Sequence, residues 1–150
     1  MIIYLNEGEN MKFIKSKDLI VKSNLPATDY VINPYVGCTN NCKYCYAVFM
    51  KRFYKIDKEW GKFVFVKESS EKINPTKYKN KRILISSVTD AYQAIERKSF
   101  VTRHILEEFI ESEAHIEILT KSGLVTRDID ILKKINSTRV GISIGLDTDF

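Results

Sequence analysis

Three cysteines lie close together in the chain, at Cys38, Cys42 and Cys45, in the spacing CxxxCxxC. Thiolates are soft ligands that suit iron–sulfur clusters and zinc, and this spacing lets one loop reach three corners of a cube. The chain contains no fourth cysteine. Because ordinary electron-transfer clusters and structural zinc sites have four protein ligands, the three cysteines predict an iron–sulfur cluster with one iron left open for a small molecule.

Two other interpretations of the cysteines stay open. Zinc is an alternative if His104 or His115 completes the site, although both histidines lie on or beside a predicted helix, far from finger-like spacing. Free thiols are the other alternative, but three exposed thiols this close together would be prone to oxidation. An odd number of closely spaced cysteines does not suit a disulfide framework, so the pattern favours a metal in a reducing compartment.

Short apolar strands alternate with amphipathic helices along most of the chain. Residues 30–33 predict a strand that ends at Pro34, just before the cysteine loop, and residues 46–56 predict a helix just after it. Further strands are predicted around residues 83–85, 116–119 and 140–146, and further helices around residues 101–110 and 129–135. This βαβαβαβ order predicts an α/β fold with parallel strands, in a barrel or a doubly wound sheet.

The last predicted strand, residues 140–146, has branched aliphatic residues on one face and only Gly141, Ser143 and Gly145 on the other. Successive side chains of a strand point to opposite faces, so the aliphatic face is expected to pack on helices. The bare face leaves space beside the sheet. That space suits either a bound ligand or close backbone packing inside a barrel, and glycine serves both purposes.

Length and composition bound the architecture. The chain has 150 residues, 44% hydrophobic and 29% charged, as in ordinary globular domains. Residues 1–29 lack periodicity and are expected to be an irregular lead-in, with one short strand near residues 19–21, to a domain spanning residues 30–150. The sequence ends directly after a strand, whereas a complete barrel needs roughly 200 residues or more. We expect a truncated chain, or a half-barrel that a second chain completes.

The N-terminus has no basic segment followed by an apolar run, and no stretch approaches the roughly 18 apolar residues of a membrane span. A cytoplasmic protein without membrane contact is therefore expected.

Positive charge is concentrated in one part of the chain. The formal charge is +5, but residues 43–82 carry twelve Lys/Arg and four Asp/Glu, a net of +8. The interleaved aromatic residues are Phe49, Phe53, Tyr54, Trp60, Phe63, Phe65 and Tyr78. Such a segment is a candidate nucleic-acid surface. The alternative is a solvated lysine-rich segment with its aromatic residues in the core, because charge alone indicates only non-specific binding.

The CxxxCxxC spacing, with the aromatic Tyr44 just before the last cysteine, resembles the radical S-adenosylmethionine superfamily. Four blocks together resemble, more narrowly, the spore photoproduct lyase-related group often labelled "DNA repair photolyase". These blocks are residues 33–47, residues 87–97, Thr102-Arg103, and residues 119–122 leading to residues 127–132. The resemblance covers roughly residues 30 to 147 and implies about the first four βα units of a partial (β/α) TIM-like barrel.

This resemblance implies a cofactor and a reaction. A [4Fe–4S] cluster on Cys38, Cys42 and Cys45 would bind S-adenosylmethionine at its fourth iron. One electron, from a donor such as a flavodoxin or ferredoxin, would split the cofactor to a 5′-deoxyadenosyl radical that abstracts hydrogen from a substrate. The protein would position the cofactor and exclude water.

The resemblance also implies which residues contact the cofactor. Tyr44 would lie by the adenine, and Ser143 would meet the ribose. The loop after the second barrel strand would meet the methionine amino group through Ser87, Thr89 and Asp90, although it lacks the usual glycine-glycine-glutamate form. The alternatives are packing for Tyr44, capping of the next segment for Asp90, and a bond to its own backbone for Thr89.

Further polar residues are expected at the same end of the sheet. Lys121 and Ser122 follow a predicted strand, where α/β folds bind ligands, although a lysine there equally suits a solvated position. Arg127 and Asp128 start the next predicted helix. Because neighbouring residues on a helix do not face each other, Asp128 is expected to interact with the helix dipole rather than with Arg127.

The expected function is a radical S-adenosylmethionine enzyme, or the N-terminal part of one, acting on an unidentified substrate for which nucleic acid is a candidate. Lyase chemistry is one version of this expectation. Spore photoproduct lyase itself uses a further cysteine as hydrogen donor, which this chain lacks. The alternative is a non-catalytic iron–sulfur or zinc protein fragment that binds nucleic acid.

Overall fold

The structure is a computed structural model that describes residues 2–3, 11–70 and 72–144. Its strands are β1 (Ile2–Ile3), β2 (Lys12–Lys15), β3 (Ile20–Lys22), β4 (Tyr30–Ile32), β5 (Tyr35–Val36), β6 (Phe65–Glu68), β7 (Arg82–Ile85), β8 (His115–Thr120) and β9 (Ser137–Ile142). Its α-helices are α1 (Met50–Phe53), α2 (Glu96–Ser99), α3 (Val101–Glu107) and α4 (Ile129–Leu132). Short 3₁₀ helices span Tyr46–Phe49, Pro75–Tyr78 and Gly123–Asp128.

A five-stranded sheet forms the centre of the fold, in the order β3-β4-β7-β8-β9. Strands β4, β7, β8 and β9 are parallel neighbours, and only β3 is antiparallel to its neighbour β4. Helices lie between these strands in the chain. The predicted α/β fold with parallel strands is confirmed, and the carboxyl ends of the four parallel strands meet at one edge.

The main hydrophobic core lies between this sheet and the helices. Strands β7 and β8 place Ile83, Ile85 and Ile116 in it, all fully buried, and α3 contributes Leu106 from the other side. Along β8 the buried Ile116 and Ile118 alternate with the more exposed Glu117 and Leu119, so this core covers one face of the strand. At roughly 1.5–3 kcal/mol for each fully buried aliphatic side chain, this core holds the strand ends in fixed positions.

A second sheet, in the order β1-β2-β6-β5, was not predicted. Its central pair is parallel, with Lys12 opposite Phe65. Strand β2 lies in the expected irregular lead-in, so that expectation is wrong for residues 12–15. Its partner strand lies more than 50 residues away in the chain, so no local periodicity indicates the pairing. The division into a lead-in and a domain stays a prediction.

The predicted elements after the cysteines are present with different limits. The helix expected over residues 46–56 is a 3₁₀ turn followed by α1, and the helix expected around residues 129–135 is reduced to α4. Strand β9 begins three residues before the predicted start and ends at Ile142. Gly145 and Leu146 of the predicted strand lie outside the described residues. No helix of the described part combines the length and apolar character needed to cross a membrane.

The two faces of β9 have different environments. In register, Val140 lies beside Ile118, on the helix side of the sheet, but is 38% exposed, so the expected packing of the aliphatic face on helices is absent in the described residues. Gly141 lies on the opposite face beside Leu119, where an added Cβ would come within 3.2 Å of the Leu119 Cδ1 atom. The bare face therefore allows Leu119 to approach the strand closely.

Candidate functional site

An open pocket of about 230 Å³ lies at the carboxyl edge of the parallel strands. Its lining contains all eight predicted metal- and cofactor-binding residues: Cys38, Cys42, Cys45, Tyr44, Ser87, Thr89, Asp90 and Ser143. Lys121 also lines it, whereas Ser122 does not. Residues that are more than 100 positions apart in the chain therefore meet in one place. The position is the one where α/β sheets bind ligands.

The cysteine loop leaves the sheet through a conformation that requires glycine. Gly37 precedes Cys38 and has a φ of +91°, where an added Cβ would lie 2.5 Å from the carbonyl oxygen of Phe63. The amide of Cys45 donates to the carbonyl of Cys42 at 3.0 Å, which closes a tight turn between these two cysteines. Cys38 is buried and packs in a small apolar core with Phe63, while Cys42 and Cys45 are partly exposed.

The three thiols all line the pocket. Within the described residues, no three His, Cys, Asp or Glu side chains are gathered so as to hold one metal ion. A cube of four irons takes one thiolate at each of three corners, so its ligands need not converge on one point. Burial raises the pKa of the Cys38 thiol to about 11, with a backbone hydrogen bond from Asn40 opposing the shift. Cluster binding must therefore displace a proton at neutral pH.

The histidines do not complete a zinc site with these cysteines. His115 begins β8 and pairs with Arg82 at the start of β7, whereas Thr120 ends the strand at the pocket. At about 3.3 Å per residue, His115 lies roughly 16 Å from the pocket end of its strand. His104 lies on α3 and contributes nothing to the pocket lining.

Gln93 holds the cysteine loop in place through hydrogen bonds to its backbone. The sequence analysis did not identify it as a site residue. It is 1% exposed. Its carboxamide oxygen accepts from the amide of Thr39 at 2.9 Å, and its nitrogen donates to the carbonyl of Gly37 at 3.2 Å and to the Thr89 hydroxyl at 3.0 Å. A buried amide with these partners fixes the backbone on both sides of Cys38.

Asp90 joins three parts of the site. One carboxylate oxygen accepts from the amide of Tyr92 and the hydroxyl of Thr120, and the other accepts from the side chain of Asn40 and the amide of Lys121. Asp90 is 6% exposed. The bond from the Tyr92 amide agrees with the alternative that Asp90 caps the following segment, and the other bonds connect it to the cysteine loop and to β8. Its contact with a cofactor amino group stays a prediction.

The loop between β7 and Asp90 is pinned by hydrogen bonds. Asn33, just after β4, accepts from the amides of Ser87 and Val88 at 2.9 and 3.0 Å. Thr89 donates its hydroxyl to the carbonyl of Gly37 at 2.6 Å and not to its own backbone. Ser86 has a φ of +79° and a buried hydroxyl that finds no hydrogen-bond partner among the described residues. An orphaned buried hydroxyl in a pocket wall fits a polar ligand.

Lys121 connects Tyr44 to Ser143 across the pocket. Its ammonium group donates to the Tyr44 hydroxyl at 2.6 Å and to the Ser143 hydroxyl at 3.2 Å, and it lies 5.2 Å from the centre of the Tyr44 ring. The hydrogen bond to Tyr44 raises the pKa of Lys121 above its usual value. Tyr44 is 70% exposed. A cation is thus held at the pocket, beside the residues predicted to meet adenine and ribose.

Arg127 and Asp128 form a direct ion pair, so the prediction that they do not interact is wrong. Two guanidinium nitrogens of Arg127 donate to the two carboxylate oxygens of Asp128 at 2.7 and 2.9 Å. The pair forms because Asp128 lies at the junction between a 3₁₀ helix and α4, with φ −101° and ψ 14°, and makes no capping hydrogen bond. Arg127 also binds the buried Glu96, and Arg103 binds Asp128 at 2.9 Å. This network braces the helices and lies outside the pocket lining.

A parallel sheet whose carboxyl edge carries three cysteines around an open pocket defines an α/β protein with a candidate ligand site at that edge. The family follows from comparison with known proteins. The sequence profile of the Radical SAM superfamily matches residues 32–148, and the chain belongs to this superfamily. Its members typically use a [4Fe–4S] cluster and S-adenosylmethionine.

Similar proteins are of unknown function. The chain is 46% identical over 131 residues to an uncharacterized protein of Methanocaldococcus jannaschii. The aligned region covers 87% of this chain and 50% of that protein. It is 28% identical over 116 residues to an uncharacterized protein of Acidianus two-tailed virus. Here the aligned region covers 70% of this chain and 38% of that protein. The chain thus spans half or less of these relatives. No solved structure matches the chain.

Proposed function

We propose that this chain is the cofactor-binding part of a radical S-adenosylmethionine enzyme of the spore photoproduct lyase-related group. The observation that carries the proposal is the convergence of Cys38, Cys42 and Cys45 with Tyr44 and Ser143 on one pocket at the carboxyl edge of the sheet. Three thiols supply a cluster with three ligands and leave one iron open. The remaining pocket wall offers aromatic, hydroxyl and ammonium groups to a zwitterionic ligand.

The bound groups would supply the difficult chemistry: a [4Fe–4S] cluster and S-adenosylmethionine together provide a 5′-deoxyadenosyl radical for hydrogen abstraction. The residues of this chain hold and orient those groups. The thiols of Cys38, Cys42 and Cys45 would ligate three irons, and Gln93 fixes the loop that carries them. The parallel strands would form the first βα units of a (β/α) barrel.

The pocket wall presents complementary groups to the ends of S-adenosylmethionine. Lys121 would meet the cofactor carboxylate, and its hydrogen-bond partners Tyr44 and Ser143 would meet adenine and ribose. Ser87, Thr89 and Asp90, which line the same pocket, would meet the amino group. Hydroxyl oxygens accept hydrogen bonds from an ammonium group, and a lysine donates to a carboxylate.

Replacing Lys121 with methionine is expected to weaken S-adenosylmethionine binding about tenfold, because the change removes the positive charge and the hydrogen-bond donor that would meet the cofactor carboxylate, while partial exposure limits the effect. Lys121→Arg keeps the positive charge and is expected to restore most of the affinity. Equilibrium dialysis of the reconstituted protein measures the affinity of both variants. Lys133→Met is the matched control, because Lys133 is an exposed lysine that does not line the pocket. Equal affinities for Lys121→Met and Lys133→Met would remove Lys121 from the site.

A further inference from the structure

Cys38 is the most enclosed of the three cysteines. It is 8% exposed and belongs to the same apolar core as Trp60 and Phe63, whereas Cys42 and Cys45 are partly exposed. Water therefore has little access to the Cys38 sulfur, and polar groups that the protein places beside it act in surroundings where electrostatic effects are strong. The groups that contact this sulfur thus have a large influence on any cluster bound to it.

Two backbone amides contact the Cys38 sulfur. Burial raises the pKa of the Cys38 thiol, and hydrogen bonds donated by the backbone N–H groups of Asn40 and Asp90 oppose that rise. The negative charge of the Asp90 carboxylate acts in the same direction as burial. Asn40 lies two residues after Cys38, whereas Asp90 lies in the loop after β7, 50 positions from Asn40. The sulfur is therefore held between two separate parts of the chain.

The side chains of the same two residues bind each other. The Asn40 Nδ2 atom donates to the Asp90 Oδ2 atom at 2.8 Å. Asp90 is buried and fixed to the sheet, because its carboxylate also accepts from the hydroxyl of Thr120 at 2.6 Å and from the amide of Lys121 at 2.8 Å. Asn40 itself is exposed. Its bond to Asp90 therefore ties the cysteine loop to a fixed point, beside the sulfur that both backbones contact.

The rest of the loop around Cys38 is held by other bonds. Gln93 accepts from the amide of Thr39 at 2.9 Å and donates to the carbonyl of Gly37 at 3.2 Å, so both neighbours of Cys38 are fixed without Asn40. Removal of the Asn40 side chain is thus expected to leave the loop folded and to loosen the contact between the two amides and the sulfur. The placement of these hydrogen bonds can therefore be tested separately from folding.

We propose that Asn40 is a positioning residue that sets the reduction potential of the cluster, because its bond to Asp90 holds two backbone N–H groups on the Cys38 sulfur; the inference rests on the proposed function. Reduction adds one electron to a cluster and increases the negative charge on its sulfurs. The positive end of an N–H dipole stabilises that charge, and hydrogen bonds to the sulfurs are among the factors that set the potential of iron–sulfur clusters. Asn40 is therefore expected to make the cluster easier to reduce.

A purely structural role for Asn40 predicts a different result. If its bond to Asp90 only stabilises the loop, loss of that bond would lower the free energy of unfolding and leave the potential of an assembled cluster unchanged. If the bond places hydrogen-bond donors on the sulfur, its loss shifts the potential even where the iron content is complete. The reduction potential at full iron content therefore separates the two roles.

Two pairs of variants test the proposal. Asn40→Ala removes the side-chain donor without a change of charge, and Thr39→Ala is its control, because it truncates the neighbouring exposed residue, whose hydroxyl lies 3.3 Å from Gln93. Asn40→Asp turns the donor into a carboxylate that repels Asp90, and Asn41→Asp adds the same charge to the next exposed residue as its control.

The midpoint potential of each reconstituted cluster is measured by anaerobic titration with dithionite, followed by electron paramagnetic resonance, in the absence of S-adenosylmethionine. Each cluster gains one electron from dithionite, which is oxidised, and no bond in the protein forms or breaks. Iron is quantified in every sample, and urea denaturation before reconstitution records any change in stability.

At equal iron content, Asn40→Ala is expected to have a more negative midpoint potential than Thr39→Ala, and Asn40→Asp a more negative one than Asn41→Asp. Equal potentials within both pairs, or a more positive potential in the Asn40 variants, would overturn the proposal even if stability fell. If Asn40→Ala binds no cluster, the comparison between the two aspartate variants decides. An unmodified chain that assembles no cluster would overturn the proposed function and this inference together, whereas equal potentials in assembled clusters would overturn the inference alone.

Discussion

Cys42→Ala protein, reconstituted anaerobically with iron and sulfide, is expected to contain almost no iron and to lack the broad visible absorbance of a [4Fe–4S] cluster. The unmodified chain should bind about four irons. The reason is that Cys42 is one of only three thiols in the chain, so its loss leaves two ligands for a cluster that already has an open iron. Quantification of iron and sulfide, beside the absorbance spectrum, measures the effect.

The matched control for this experiment is Lys43→Ala. Lys43 is exposed and lies between the cysteines, so its replacement changes the same loop without removing a ligand. It should retain the full iron content. Iron in Cys42→Ala at the level of Lys43→Ala would show that the three cysteines do not hold the cluster. Zinc in the unmodified chain, with no visible colour, would contradict the cluster just as directly.

Gly37→Ala is expected to lower the free energy of unfolding by about 2–4 kcal/mol, from left-handed backbone strain together with overpacking. At Gly37 the φ of +91° disfavours any Cβ, and the added carbon would meet both the carbonyl and the ring of Phe63 within 2.8 Å. The loop must shift to accommodate it. Because Cys38 is the next residue, the shift should also lower the iron content after reconstitution.

Urea denaturation of the protein before reconstitution measures the stability effect, and Gly123→Ala is its control. An added Cβ at Gly123 meets no atom within 4 Å, and the residue begins a 3₁₀ helix. That change should leave stability unchanged or raise it by up to about 1 kcal/mol. Equal stabilities for the two alanine variants would mean that the loop before Cys38 does not depend on glycine.

The sequence predicted the central sheet because its signal is local. The apolar residues of β7 and β8 form short patterns separated by helical patterns, and this alternation predicts parallel strands. The second sheet depends instead on a distant pairing, that of β2 with β6. No local pattern indicates a partner more than 50 residues away, and β6 was missed entirely.

The site was predicted in part for a similar reason. Parallel strands bring their carboxyl ends to one edge, so the cysteines, the loop after β7 and Ser143 were expected to meet. The side-chain contacts were not predictable. Lys121 reaches Tyr44 from 77 positions away, and Arg127 faces Asp128 because the 3₁₀ helix that contains both residues ends at Asp128, directly before α4 begins. Such contacts depend on tertiary geometry that no spacing rule contains.

Gln93 and Ser86 show two signals that sequence reasoning overlooked. Gln93 has apolar neighbours in the sequence and is buried. A buried side-chain amide needs hydrogen-bond partners, so such a residue is a candidate for holding other parts of the chain in place. Ser86 ends a buried strand in a left-handed conformation, which the sequence alone does not reveal for a residue other than glycine. Both belong to the loop segment that faces the cysteines, so they would rank next among the residues to substitute.

The most direct test of the central proposal is electron paramagnetic resonance of the reconstituted, reduced chain with and without S-adenosylmethionine. We expect the signal of a reduced [4Fe–4S] cluster, and we expect it to shift when S-adenosylmethionine is added, because the cofactor would bind the iron that lacks a cysteine. A cluster signal that is identical with and without the cofactor would contradict the account, because it would show that the pocket beside Cys38, Cys42 and Cys45 does not present an open iron to S-adenosylmethionine.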